Sequence, residues 1–168
     1  MWIGGGAVAL ALGLRLLGID WGLPAVYEEA YPFKKSWPMW GWGADASVDL
    51  NPHFFNYPSL FFYVQFLGQG LLFLLLRLFG PVDSVLDYRV LYELDKTPFY
   101  IMGRTLTALF ASATVWVTFR LGQRLRGPCT GALAACLLAV NQFHIAKSQV
   151  IEVDGKKVGF PLGKNEGL

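Results

Sequence analysis

Charge is what this sequence has least of. Only 15% of its 168 residues are Asp, Glu, Lys or Arg, against about 25% in an ordinary soluble domain. A disordered chain is excluded, because low hydrophobicity and high charge are what keep a chain unfolded; an ordinary cytosolic globule is disfavoured. Fourteen Lys and Arg against twelve Asp and Glu leave a net charge of +2, too little for the clustered basic face that nucleic-acid binding needs. Cysteine is scarce too. Cys129 and Cys136 are the two present; on one helix the rise alone would put them about 10 Å apart, beyond disulfide reach, so they read as small core residues. Apolar residues fill the space, at 54% of the chain and a mean hydropathy of +0.41.

The few charges are gathered into connectors, which leaves four apolar stretches, 1–18, 54–76, 98–119 and 127–146. Arg15 interrupts the first and Arg104 the third, and His144 lies near the end of the fourth. Each approaches the roughly 20 residues a helix needs to cross the hydrocarbon layer. The reading is an all-α integral membrane protein. A cleaved signal peptide accounts less well for the first stretch, since no basic residue precedes it and no small-x-small site stands before Asp20. Gly22-Leu23-Pro24, Asn51-Pro52, Tyr57-Pro58, Gly80-Pro81 and Gly127-Pro128 mark the connectors. There is no internal repeat.

The connectors differ in sign. Residues 20–57 hold Asp20, Glu28, Glu29, Asp45 and Asp49 against Lys34 and Lys35, and residues 81–97 hold Asp83, Asp87, Glu93 and Asp95 against Arg89 and Lys96. Arg120, Arg124 and Arg126, in the link after the third stretch, have no acid among them. Arginine-rich short loops stay cytoplasmic, so the acidic connectors belong outside. Strict alternation of four spans would put residues 20–57 on the arginine side. Opposite sides are recovered if 54–79, which begins at prolines and is split by Gln65, Gly68, Gln69 and Gly70, does not cross. The expectation is therefore three transmembrane helices plus juxtamembrane helices in a long first extracytoplasmic loop, with a cytoplasmic N-terminus. Trp21, Tyr27, Tyr31, Trp37, Trp40 and Trp42 in that loop suit the headgroup layer.

Three groups of residues could carry chemistry. Adjacent carboxylates repel, so one of Glu28 and Glu29 should hold its proton more tightly and suit proton transfer near neutral pH; a solvated loop pair is the plain alternative. At the end of the last stretch His144, Lys147, Glu152 and Asp154 lie within eleven residues, His144 and Lys147 being suited to anchor at the interface. Arg104, seven residues into an apolar stretch, must reach the surface or meet an anion, and intramembrane charges are functional candidates by default. Carboxylate oxygens also suit a divalent cation, with Glu28 and Asp154 as candidate ligands.

The order of a first span, a loop with paired acids, Leu50-Asn51-Pro52-His53-Phe54-Phe55-Asn56-Tyr57-Pro58-Ser59-Leu60, Gly103-Arg104, and Arg120-Leu121-Gly122-Gln123-Arg124-Leu125-Arg126-Gly127 before an apolar span ending in an acid resembles the N-terminal part of the GT-C membrane glycosyltransferases. The dolichyl-phosphate-mannose-protein mannosyltransferase family is the most similar subgroup, including bacterial members akin to the aminoarabinose transferases. The resemblance covers residues 1–154 and implies transfer of a sugar from a polyprenyl-phosphate donor to an extracytoplasmic acceptor. It implies Glu28 and Glu29 as the catalytic carboxylates, Asp154, with Glu152 beside it, as a second acidic site, and Arg104, helped by Lys147 or His144, as the group that meets the donor phosphate. Juxtamembrane helices in the first outer loop are implied as well.

The sequence departs from that pattern twice. Glu28 stands where the family usually has aspartate, and residues 155–168 form a polar, glycine-rich tail, expected to be disordered, where the family continues into another span. The expectation is an amino-terminal piece of a larger enzyme, inactive alone, whose partners are membrane lipids, the polyprenyl-phosphate donor and the rest of the enzyme or another membrane helix. Two other classes compete: a non-catalytic membrane scaffold packing through Gly4-Gly5-Gly6 and residues 131–139, and a transporter fragment with Arg104 and Glu28 as pathway charges.

Overall fold

The computed structural model describes residues 2–23, 31–42, 47–54 and 59–151. Among these residues the regular structure is helical throughout: α1 (Trp2–Leu16), α2 (Tyr31–Ser36) running into a 3-10 turn (Trp37–Trp40), α3 (Leu60–Phe79), α4 (Val85–Leu94), α5 (Thr97–Arg126), α6 (Pro128–Ala139) and α7 (Gln142–Ser148). The all-α expectation holds. The tail at 155–168 lies outside the described residues.

Local chemistry sets the element ends. Ser84 and Asp87 form a reciprocal capping box at the start of α4, and the Ser84 hydroxyl, followed by its backbone N–H, holds the Asp87 carboxyl below the usual carboxylate range. Pro98 opens α5, where a missing N–H costs nothing. Gly127 ends α5 at a φ of 95° that only glycine adopts readily, and Pro128 begins α6 at once. The arginine-rich link expected as a loop is therefore the last two turns of α5. The fourth apolar stretch is broken as well: Asn141 accepts from the His144 backbone N–H and starts α7, which is bent 61° from α6.

Helices α1, α5 and α6 form one layer. α1 runs antiparallel to α5, with Gly4 against Phe119 at one end and Ile19 bonded to Arg104 at the other. α5 and α6 form a tight hairpin, since a Cβ added to Gly122 would lie 2.7 Å from Gly131 Cα and one added to Gly131 would lie 2.8 Å from Gln123 N. Ala7, Ala11, Val115, Phe119, Ala135 and Ala139 are buried between the three helices. Leu109, Val117, Leu121, Leu133 and Leu137 face outward and are exposed. A water-soluble core buries its leucines; this layer buries alanine and glycine and shows its leucines to the surroundings. The outward face also takes Cys129 and Cys136, both free and exposed. They are not core residues, because Gly131, Ala135 and Ala139 occupy the packed face of α6 at four-residue spacing.

A second, aromatic core sits beside this layer. Phe33, Trp37, Tyr88, Tyr92, Phe99 and Tyr100 are buried together, with Trp37 stacked on Tyr92 at 4.2 Å between centroids. α3 supplies its polar centre. The buried Gln69 amide donates to Ser36 Oγ at 2.7 Å and accepts from Trp40 Nε1 at 2.9 Å, while its backbone carbonyl accepts from Tyr88 Oη at 2.8 Å. Burial and the nearby Glu93 charge push the Tyr92 hydroxyl up to about 12. The tryptophans expected in the headgroup layer are thus largely protein core: Trp37 is buried, and Trp42 donates to Trp37 O at 2.8 Å. Tyr27 and the side chain of Tyr31 lie outside the described residues.

By length and composition α3 alone among the described helices could cross a membrane; α6 and α7 qualify only as one bent pair, and α1 is a shorter apolar helix. This ordering differs from the expectation that 54–79 is the stretch that does not cross. Arg104, Arg120, Arg124, Arg126 and six Thr or Ser side chains dilute α5, although its 30 residues rise about 45 Å. An open apolar groove of about 460 Å³, lined by Gly68, Leu71, Leu106, Leu109 and Phe110 among others, separates α3 from α5 beyond their crossing.

The hairpin depends on backbone contact. Gly131→Ala should lower stability by about 1–3 kcal/mol through overpacking, despite alanine's helical preference, whereas Gly5→Ala, with open space around it, should be neutral or slightly stabilising. Thermal unfolding followed by helicity in lipid nanodiscs distinguishes the two.

Candidate functional site at the end of α1

A helix leaves its last four carbonyls without intrahelical partners, and at the end of α1 and in the turns that follow it two side chains from elsewhere in the chain donate to backbone carbonyls. Gln149 Nε2 donates to Arg15 O at 3.2 Å and to Leu17 O at 2.8 Å. Arg104 Nη1, from α5, donates to Ile19 O and Trp21 O, both at 2.8 Å. Its guanidinium lies 5.2 Å from the Trp21 ring centre, a cation–π contact.

Arg15 returns the service to α6. Its Nη1 donates to Ala11 O at 2.7 Å within its own helix and to Ala139 O, the last carbonyl of α6, at 3.3 Å. Its Nη2 lies 2.6 Å from His144 Nδ1. The side chain is fully buried, and its partners among the described residues include no acid. A second buried polar group lies close by. Gln65, at the crossing of α3 with Gly103, is fully buried with neither Oε1 nor Nε2 bonded, a state rare enough in native proteins to require a reason.

Of the residues named from the sequence, Arg104, His144 and Lys147 are described. Arg104 and His144 meet the same stretch of chain, residues 15–21, from two sides. Lys147 is half-buried one turn after His144 on α7. Arg104 is fully buried and engaged with the Ile19 and Trp21 carbonyls. Glu28, Glu29, Glu152 and Asp154 lie outside the described residues, and among the described ones no three His, Cys, Asp or Glu side chains gather to hold a metal ion.

The ends of the acid-bearing segments are nevertheless anchored. Leu23 and Phe33, on either side of the Glu28–Glu29 pair in sequence, both pack into the aromatic core, which includes Tyr100, one turn before Arg104. Ile151, three residues before Asp154, is buried against Gly103. Both acidic segments therefore adjoin residues packed into the core that holds the first turn of α5.

Arg15 and Gln149 tie the end of α1 to α6 and α7, and Gln65 and Gln69 are the buried amides of α3; none of the four is a candidate from sequence. A charge and three amides inside or beside apolar runs were the available signal, since such groups must find partners when buried. Comparison with protein-family models, curated proteins and solved structures finds no match.

Arg104→Lys keeps the charge but replaces a planar, multi-donor group with a single ammonium. It should cost about 1–3 kcal/mol and release Trp21, read as lower thermal stability and a shifted tryptophan emission.

Proposed function

We propose that the chain is a membrane-embedded unit of a glycosyltransferase that takes its sugar from a polyprenyl-phosphate donor. The observation that supports this reading is that Leu23, Phe33 and Ile151, which flank the acidic segments, pack into the core formed by Phe99 and Tyr100, within two turns of Arg104 on α5, an arrangement in which carboxylates and a fixed cation could serve one reaction centre. In this reading a carboxylate of Glu28 or Glu29 takes the proton of the acceptor hydroxyl as it attacks the anomeric carbon, inverting it in a single displacement. Arg104, with Lys147 and His144, stabilises the charge that grows on the departing lipid phosphate, and Asp154 with Glu152 forms the second acidic site. A divalent cation, if used, would be held by Glu28 and Asp154, whose oxygens suit it.

Membrane embedding is supported by the α1–α5–α6 layer, which packs through small residues and turns its leucines outward, as helices in lipid do. Three crossings, by α1, α5 and the bent α6–α7 pair, are the topology proposed, with the N-terminus cytoplasmic and the acidic connectors outside. The surroundings of α3 support leaving it out of the bilayer. Its midpoint, Gln69, bonds to Ser36, beside the exposed Lys34 and half-buried Lys35. Were α3 upright across the membrane, those lysines would be carried to its middle, where a charge costs several kcal/mol. From Arg104 to Arg120 α5 rises about 24 Å, close to the thickness of the hydrocarbon core.

The scaffold reading has less support. Gly131, Ala135 and Ala139 are used up inside the chain, which leaves Gly5 and Gly6 as the open small residues of the N-terminal run.

Cysteines placed at Asp49 and at Ser84, on either side of α3, should both react with a membrane-impermeant reagent added from outside, and one at Gln123 should not, after Cys129 and Cys136 are replaced by alanine. Labelling of Asp49 and Ser84 positions from opposite sides would reject the topology. In its native context Glu28→Gln should abolish sugar transfer while leaving donor binding intact; unchanged turnover would remove Glu28 as the base.

A further inference from the structure

The contact between Arg15 and His144 defines a protonation state. An arginine side chain has only N–H donors, so at 2.6 Å from its Nη2 the His144 Nδ1 must be the acceptor. A ring that accepts at Nδ1 is neutral and carries its proton on Nε2. We propose that Arg15 is a positioning residue that locks His144 as the neutral Nε2–H tautomer, leaving Nε2–H as the one donor of that ring for an anionic ligand group. The inference rests on the reading of His144 as a group that meets the donor phosphate, and it adds the device that orients it.

The surrounding geometry holds both partners. Arg15 is fixed by Ala11 O on its own helix and by Ala139 O at the end of α6. His144 is fixed by its place in the first turn of α7, where its backbone N–H bonds to the Asn141 side chain at 2.9 Å. Gln149, on the residue after α7, ties back to the carbonyl of Arg15 itself. The α6–α7 bend is thereby closed onto α1 from both directions, and rotation of the imidazole would break its bond to a buried guanidinium. Among the described residues the partners of Arg15 are two backbone carbonyls, both met by Nη1, and this ring, met by Nη2, and none is a carboxylate.

Nitrogen-15 spectroscopy of the histidine ring reads the tautomer directly, in the full chain in lipid nanodiscs on a His53→Gln background, which removes the other histidine. At neutral pH the expected spectrum has Nδ1 unprotonated and hydrogen-bonded and Nε2 protonated. Arg15→Met should replace it with the averaged signal of a ring exchanging between tautomers. A proton on Nδ1 in the unsubstituted chain overturns the proposal without need of the variant, as does an Arg15→Met spectrum identical to the parent.

A second measurement uses undecaprenyl phosphate in the same nanodiscs. His144→Gln keeps an N–H near the Nε2 position and should retain binding. His144→Asn puts its amide near the Nδ1 position, where Oδ1 can accept from Arg15, but brings no N–H to the Nε2 position, and should lose about tenfold or more. Equal binding by both variants, with the ring still Nε2–H, would overturn the role of His144 toward the phosphate and not its orientation by Arg15.

Discussion

Helix ends leave carbonyls without intrahelical partners, and one buried unpaired costs as much as a lost hydrogen bond. The end of α1 is where this constraint is strictest, because three helices finish or bend there together. Arg15, Gln149 and Arg104 answer it with carbonyl contacts at Ala139, Leu17, Ile19 and Trp21. Those bonds tie α1 to α6 and α7 and help hold residues 17–21 against α5. The residues proposed for phosphate chemistry are on the same frame, so the site is built from groups whose first task is to finish helices.

The two cores solve different problems. Between α1, α5 and α6 the backbones approach until glycine and alanine are all that fit, and dispersion over a close interface does the work. Around α2 and α4 the contacts are large rings, with Gln69 satisfying the polar atoms those rings and Ser36 bring inside. Gln65, one turn earlier on the same face of α3, lacks any such partner. The contrast places the tightly satisfied part of α3 against the aromatic core and the unsatisfied part against α5.

The helical class and most helix positions were legible in the sequence, because apolar runs and proline-glycine punctuation act locally. α5 was recognised from 98–119, but its C-terminal turns were not, since three arginines look like a loop until Gly127 is seen to be the stop. Cys129 and Cys136 were misassigned for a similar reason: composition says they are small and apolar, while only the spacing of Gly131, Ala135 and Ala139 says which face is packed. For the site, Arg104 and His144 stood out as charges in apolar runs. Arg15 interrupts its apolar run in the same way. Its importance lies in a bond to a residue 129 positions away, which no local pattern encodes. The acid pair at Glu28–Glu29 was legible as chemistry, and its flanks, Leu23 and Phe33, are located through the aromatic core.

One dimension of the layer reaches beyond the protein itself. The 12 residues of α6 rise about 18 Å, well short of a hydrocarbon slab about 30 Å thick, and the chain then turns aside. With the chain embedded as proposed, lipid alongside that flank would have to pinch inward to match it. Headgroups would dip toward His144 and Lys147, so that an amphiphile drifting along this side would meet the protein at less than its usual depth.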